Sequence, residues 1–157
     1  MYLLSVLLLT VVLPLVSVAF QRFGAQNAAP LPFLLGKWFV FWGAGVRLFT
    51  AGLKQLFQPE FTARQIFHMT TDEALPLVRE VGAGNLAIGT AGIVSLWKPT
   101  FVLPIAIAGA IFYGIAGINH LREKARSRNE NIAMVTDLWV AAVLIAFLLL
   151  SARQQQP

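Results

Sequence analysis

Six polar or ionisable residues stand inside, or at the edges of, long apolar stretches: Arg47, Glu80, Asn85, Tyr113, His120 and Asp137. Arg47 is the most demanding of them. An arginine at the centre of a membrane helix costs about 2.5–3.5 kcal/mol on insertion scales, so it is expected to face other helices and not lipid. Gly43, Arg47, Thr50 and Lys54 follow i, i+4, i+7, i+11 and share one helical stripe. Small residues beside the arginine let a second helix approach closely. Two roles fit: a site for an anion or a substrate head group, or a buried ion pair that holds helices in register. Glu80, Asn85, Tyr113 and Asp137 are the candidate acceptors. Asp137 lies some five residues, about 7.5 Å, inside its apolar stretch. Asn85 sits on a stripe of Gly82, Asn85, Gly89 and Gly92. That stripe reads as a close helix contact, with Asn85 bonding across it or touching a ligand. Tyr113 and His120 lie toward the same end of their stretch. Together the six would surround a one-sided polar cavity floored by Arg47, suited to an amphipathic ligand with an anionic or carbonyl head. The alternative leaves Glu80 and His120, with Asn119 and Glu130, among solvated lipid head groups.

Catalytic and metal signals are poor. His120 and Glu123 sit at i, i+3, and one imidazole with one carboxylate does not make a site. His68 lies in an amphipathic segment and reads as interfacial. A haem shared by His68 and His120 would need residues 59–72 to converge with the loop after His120. No Ser-His-Asp pattern, P-loop or Gly-rich phosphate turn is present. The chain has no cysteine, which excludes disulfides, thiolate nucleophiles and thiolate metal ligands. No catalytic residue and no metal ligand is assigned, and the residues name no cofactor.

The elements that must position these side chains are apolar helices. Hydrophobic residues make up 57% of the 157-residue chain and charged residues 12%. Soluble domains carry about 25% charged residues, which disfavours a soluble enzyme, a disordered tail or a nucleic-acid module. Mean hydropathy is +0.71. The net charge of +5 comes from 12 dispersed Lys and Arg, with one cluster between Arg122 and Arg128. Such a pattern is a topology signal before it is a nucleic-acid footprint.

Five apolar stretches are read as membrane spans of a single domain, 1–157: residues 2–20, 36–57, 75–97, 101–119 and 132–151. The first carries no charge and rises about 28 Å as a helix, close to the hydrocarbon thickness. Pro14 lies inside it and is tolerable if a neighbour satisfies the carbonyl it frees. Ser17-Val18-Ala19 resembles a signal-peptide cleavage site, but the n-region lacks Lys and Arg and the apolar run is long, so a retained transmembrane helix is expected. Residues 21–32 read as an irregular loop with two prolines. Residues 59–72 read as an interfacial helix or a polar loop. The small residues Ala106, Ala110 and Gly114 of the fourth span are expected to answer the stripe of the third. With five spans and Arg47 set aside, the face bearing the second and fourth loops carries seven Lys and Arg against four on the other. That balance predicts a cytoplasmic fourth loop.

The order of these segments also resembles a known family. An Arg-containing helix, WFVFWGAGVRLFTAGLKQLF over 38–57, is followed by a long extramembrane excursion. Next come EVGAGNLAIGTAGI opening at Glu80, GIAGINHL ending at Leu121, and an apolar helix after Asn129-Glu130-Asn131. This looks like the DoxX-like small bacterial membrane proteins, or a sister family of uncharacterised polytopic membrane proteins. The resemblance covers roughly Lys37 to Leu149 and leaves the first helix outside. It implies an all-α integral membrane bundle, a four-helix DoxX-like body plus an N-terminal transmembrane helix. Some DoxX-like proteins are accessory subunits of membrane redox systems. The family arrangement would put the basic fourth loop outside, against the charge count.

The expected role is therefore a multi-pass protein of a bacterial inner membrane, a non-catalytic accessory or ligand-binding subunit of a membrane complex. The alternative is a small membrane enzyme or redox-complex component acting on a lipophilic substrate such as a quinone or lipid. A transporter is disfavoured by size and by the lack of a repeated polar pathway. Expected partners are membrane lipids, other membrane subunits or a second copy, and a quinone or lipid ligand, with no nucleic acid.

Overall fold

A computed structural model describes residues 2–26, 28–67 and 69–154; His68 lies outside the described residues. Among these the chain is all helix and turn. Helix α1 covers Tyr2–Gly24. Helix α2 runs without a break over residues 31–57, α3 over Pro59–Gln65, α4 over Leu75–Val94, α5 over Val102–Arg122 and α6 over Arg128–Gln154. Short 3-10 turns at Asp72–Ala74 and Pro99–Phe101 lead into α4 and α5. By length and composition, three helices among the described residues can cross a membrane: α1, α5 with the turn before it, and α6. The remaining long helices, α2 and α4, are the richest in glycine, with four each.

The outer helices extend further than the apolar runs alone suggest. Ser127 explains the start of α6: its Oγ accepts the Glu130 N–H at 3.1 Å, and Glu at N3 completes the pattern of a capping box. Arg126 closes the other side of the same loop. Its Nη1 donates to the carbonyls of His120, Leu121 and Glu123, at and just beyond the end of α5. The loop expected over 120–131 thus shrinks to residues 123–127.

The helices alternate in direction and pack as two tight pairs. In the first pair, α2 lies on α4 through glycines. A Cβ on Gly52 would meet Leu86 N at 2.6 Å and Gly82 O at 2.7 Å; one on Gly92 would meet Gly45 Cα at 2.6 Å. Gly89 lies against the backbone of Phe49. The Gly82/Gly89/Gly92 stripe is therefore a close contact, but its partner is α2 and not the fourth span. Gly45 and Gly52, seven residues apart on one face of α2, supply the matching small surface. Gly114 has open space around it, and Ala83 and Ala87 point outward. In the second pair, α5 lies on α6, with Leu144 over Gly109 and Leu138 over Gly117. The pairs meet in a core of Phe39, Val40, Ala44 and Leu48 from α2 against Ala106, Tyr113, Val140 and Leu144.

Helix α1 closes one side and is held by three indoles. Trp139 Nε1 donates to Thr10 O at 3.0 Å, Trp42 Nε1 to Ser17 Oγ at 3.0 Å and Trp38 Nε1 to Gln21 Oε1 at 2.6 Å. The first of these answers Pro14. Proline has no N–H to give the carbonyl four residues back, which is that of Thr10. The helix takes up the defect as a π-helical segment at Leu8–Val12, and Trp139 satisfies the oxygen.

Outward faces are apolar. Leu103, Ile107, Ile111, Ile115 and Ile118 form an exposed stripe along α5, and Leu4, Leu8, Val12 and Val16 do the same on α1.

Candidate functional site

A cavity of about 460 Å³ opens where the start of α1, the end of α2, α3, α4, the end of α5 and the start of α6 come together. Five of the six residues predicted from sequence line it: Arg47, Asn85, Tyr113, His120 and Asp137. Glu80 does not. It is exposed on α4. At about 100° per residue it lies some 140° around the helix from Asn85, away from the face that packs on α2.

Arg47 reaches Asp137, as burial requires. Its Nη2 lies 2.6 Å from Asp137 Oδ1 and 3.1 Å from Thr136 Oγ1, and the two charged side chains are only 11% and 8% exposed. The Tyr113 ring covers the guanidinium with its centroid 4.9 Å from Cζ, a cation–π contact. Local backbone geometry sets this up. Residues Phe39–Val46 of α2 are π-helical, and the Arg47 N–H bonds Ala44 O and Trp42 O, passing over Gly43 O. Tyr113 Oη donates to that Gly43 carbonyl at 2.6 Å. The same tyrosine therefore satisfies the irregular turn and roofs the arginine. Thr136 was not singled out from sequence. Its hydroxyl also bonds Ile132 O and Ala133 O of its own helix, which leaves its lone pair for Arg47.

Asn85 is buried, and its Nδ2 donates to Gln55 Oε1 at 2.8 Å. Gln55 was likewise missed, although a signal existed. Gly45, Gly52 and Gln55 repeat on α2 at i, i+7, i+10, and Gly82, Asn85, Gly89 and Gly92 repeat on α4 at i, i+3, i+7, i+10. Two matched stripes with an amide near one end of each bring the amides together.

His120 and Glu130 are both buried, with Nδ1 and Oε1 3.1 Å apart. The Phe67 ring stacks on the imidazole at 6.3 Å and 14°. Both His120 and Glu130 are covered by protein. The segment read as an interfacial helix or a polar loop, residues 59–72, contributes to the same end of the bundle through its residues 59–67. It is helical only over Pro59–Gln65, buries Thr62, Ala63 and Ile66, and gives Phe61, Thr62, Ile66 and Phe67 to the cavity wall. The exposed Lys54 has its Nζ 3.2 Å from the Phe61 ring centroid. Helix α1 contributes Tyr2, Ser5, Val6 and Leu9 to the opposite wall, and the Tyr2 and Phe61 rings lie 6.5 Å apart.

The wall is largely apolar, and most polar groups in it are already tied to one another. Two buried atoms among the described residues are not: Arg47 Nη1, a donor, and Asn85 Oδ1, an acceptor. No group of three His, Asp or Glu positioned to hold a metal occurs among the described residues. The arrangement can seat and orient a molecule that offers both an apolar body and a polar end.

Neither the curated proteins nor the solved structures compared with this chain match it. The DoxX-like resemblance stops short of the first helix, whereas one family model takes in residues 1–157, α1 included, and the chain belongs to the family of unknown function DUF6790.

Proposed function

We propose that this protein is a five-span protein of a bacterial cell membrane that holds an amphipathic ligand, acting as a non-catalytic ligand-binding or accessory subunit. The observation that carries the reading is the cavity. Its walls are largely apolar, its polar residues converge from all six helices, and Arg47 and Asp137 lie within it. The exposed apolar stripes on α1 and α5 support a lipid surround. Helices α2 and α4 cross as well: Gly45 and Gly52 of α2 lie against Gly82, Gly89 and Gly92 of α4, and Arg47 turns to Asp137 of α6. The DoxX-like likeness fits this arrangement, since its Arg-containing helix is α2. By the charge count, the loop over residues 123–127 faces the cytoplasm.

A second reading, a component of a redox or lipid-modifying system acting on a lipophilic substrate such as a quinone, draws on the same apolar walls. It needs a reacting group that the tied polar pairs do not supply.

Mass spectrometry of small molecules extracted from protein purified in mild detergent tests the proposal. A lipid or quinone should be retained by the native protein and depleted in Arg47→Gln. An unchanged extract from a folded variant would remove the pocket and leave a structural subunit.

A further inference from the structure

We infer that the cavity takes a single-chain amphiphile with an anionic head, a long-chain carboxylate or phosphate ester, and that Lys54 at its rim meets the head. This rests on the pocket reading above and names the head group and the residue that receives it.

Three observations lead there. The first is charge. The cations and anions deep in the wall are matched: Arg47 pairs with Asp137, and His120 lies against Glu130. Lys54 also lines the cavity and makes no ion pair among the described residues. It is therefore the one uncompensated charge that the wall presents. The second is place and access. The Lys54 ammonium lies 3.2 Å from the Phe61 ring centroid, and that ring is 6.5 Å from the ring of Tyr2. Both rings line the cavity, so the ammonium stands at its wall. Lys54 is also exposed, three residues before the end of α2, where an arriving head can reach it. The other exposed polar side chains of the wall are Ser5 and Thr50, and each hydroxyl donates to a carbonyl of its own helix. Among the exposed side chains of the wall, the proton donor that remains is Lys54, and a donor without an acceptor suits an acceptor-only head. Gln55 beside it gives its amide oxygen to Asn85 at 2.8 Å, which leaves it an N–H to offer. The third is size and depth. A cavity of about 460 Å³ is toward the lower end of the range of small-molecule pockets, about 300–1,000 Å³, with room for one chain and not for the two of a phospholipid. Lys54 is seven residues beyond Arg47, about 10.5 Å along α2, so a head held at the rim stays clear of the Asp137 carboxylate. The chain then lies among Val6, Leu9, Phe61, Ile66 and Phe112.

The experiment compares three probes with the same chain on the full-length protein in a non-ionic detergent, at a pH where the carboxylate is ionised: oleate, 1-oleoyl-lysophosphatidylglycerol and the uncharged 1-monooleoylglycerol. Binding is read by native mass spectrometry and by the shift in melting temperature. The better of the two anionic probes is expected to bind about tenfold more tightly than monooleoylglycerol, and which of them it is tells a carboxylate from a phosphate head. Lys54→Gln should remove most of that preference and leave monooleoylglycerol binding within about twofold, while Lys54→Arg should keep the preference. Lys98→Gln, in the turn before α5 and away from the cavity, should change nothing. Lys54 is exposed, so these variants are expected to fold, and their melting temperature without probe checks it. Monooleoylglycerol binding as tightly as both anionic probes, a preference that survives Lys54→Gln, or an equal loss in Lys98→Gln would overturn the anionic head at Lys54 and leave the pocket standing. Binding of none of the three would overturn the pocket reading and this inference together.

Discussion

Arg47 shows how far a single residue constrains its surroundings. A guanidinium within an apolar bundle must find an oxygen, and the chain supplies one ninety residues away at Asp137. Removing one partner strands the other. Arg47→Leu or Asp137→Leu alone is expected to cost about 3–5 kcal/mol, because an uncompensated charge stays buried. The double variant Arg47→Leu/Asp137→Leu should come close to native stability, since a buried pair replaced by apolar residues of similar volume is often neutral. Thermal unfolding of the three variants in detergent checks this. A double variant as unstable as the worse single one would mean that the pair does more than neutralise itself. That Arg47 needs a partner was legible in its position. That the partner is Asp137 was not, because Glu80, Asn85 and Tyr113 were equally available along the sequence. The π-helical turn before Arg47 and the seat of Tyr113 on Gly43 made the choice.

At the scale of the helix, glycine and proline divide the work. Gly52 lies against backbone, so Gly52→Ala forces α2 and α4 apart and should cost about 1–3 kcal/mol, as overpacking does. Gly114 has open space, and Gly114→Ala should stabilise by up to about 1 kcal/mol through helix propensity alone. Paired unfolding measurements would show opposite signs; equal effects would contradict the glycine contact between α2 and α4. Pro14 and Trp139 form a second unit. Trp139→Phe leaves the Thr10 carbonyl without its donor and should cost about 1–3 kcal/mol. In a Pro14→Ala background the restored N–H can take that carbonyl, and the cost should shrink. A double-mutant cycle measures the coupling, and additive effects would deny it. The sequence showed that Pro14 needed a neighbour; only packing showed that the neighbour is an indole from α6.

For the molecule as a whole, the alternating helices bring residues 58–67 and 123–127 to the cavity end, where Phe67 stacks on His120. Ser151 lies near the other end of α6, 24 residues beyond Ser127 and about 36 Å along the helix. The chain has no native cysteine, so Ser127→Cys and Ser151→Cys can be labelled singly in intact cells with an impermeant thiol reagent. Ser151→Cys should react from outside and Ser127→Cys only after permeabilisation. Labelling of both from the same side would contradict the alternating five-helix crossing.

The all-α bundle, the convergence of Arg47, Asn85, Tyr113, His120 and Asp137, and the need for close small-residue contacts were all readable along the chain. Each follows from local physics: apolar runs of membrane length, a charge that lipid cannot solvate, glycines at helical spacing. Three other features required the tertiary structure. Helix α2, and not α5, receives the glycine stripe of α4, because Gly45 and Gly52 come into register with it. Glu80 turns outward, although its type and position resemble those of the residues that turn in. Helix α1, which the resemblance left aside, becomes a wall of the cavity through three tryptophan contacts from other helices. Periodicity says which face of a helix must be covered. Which neighbour covers it is decided only when distant segments compete for the same surface, and shape complementarity across that surface is written in no single stretch of sequence.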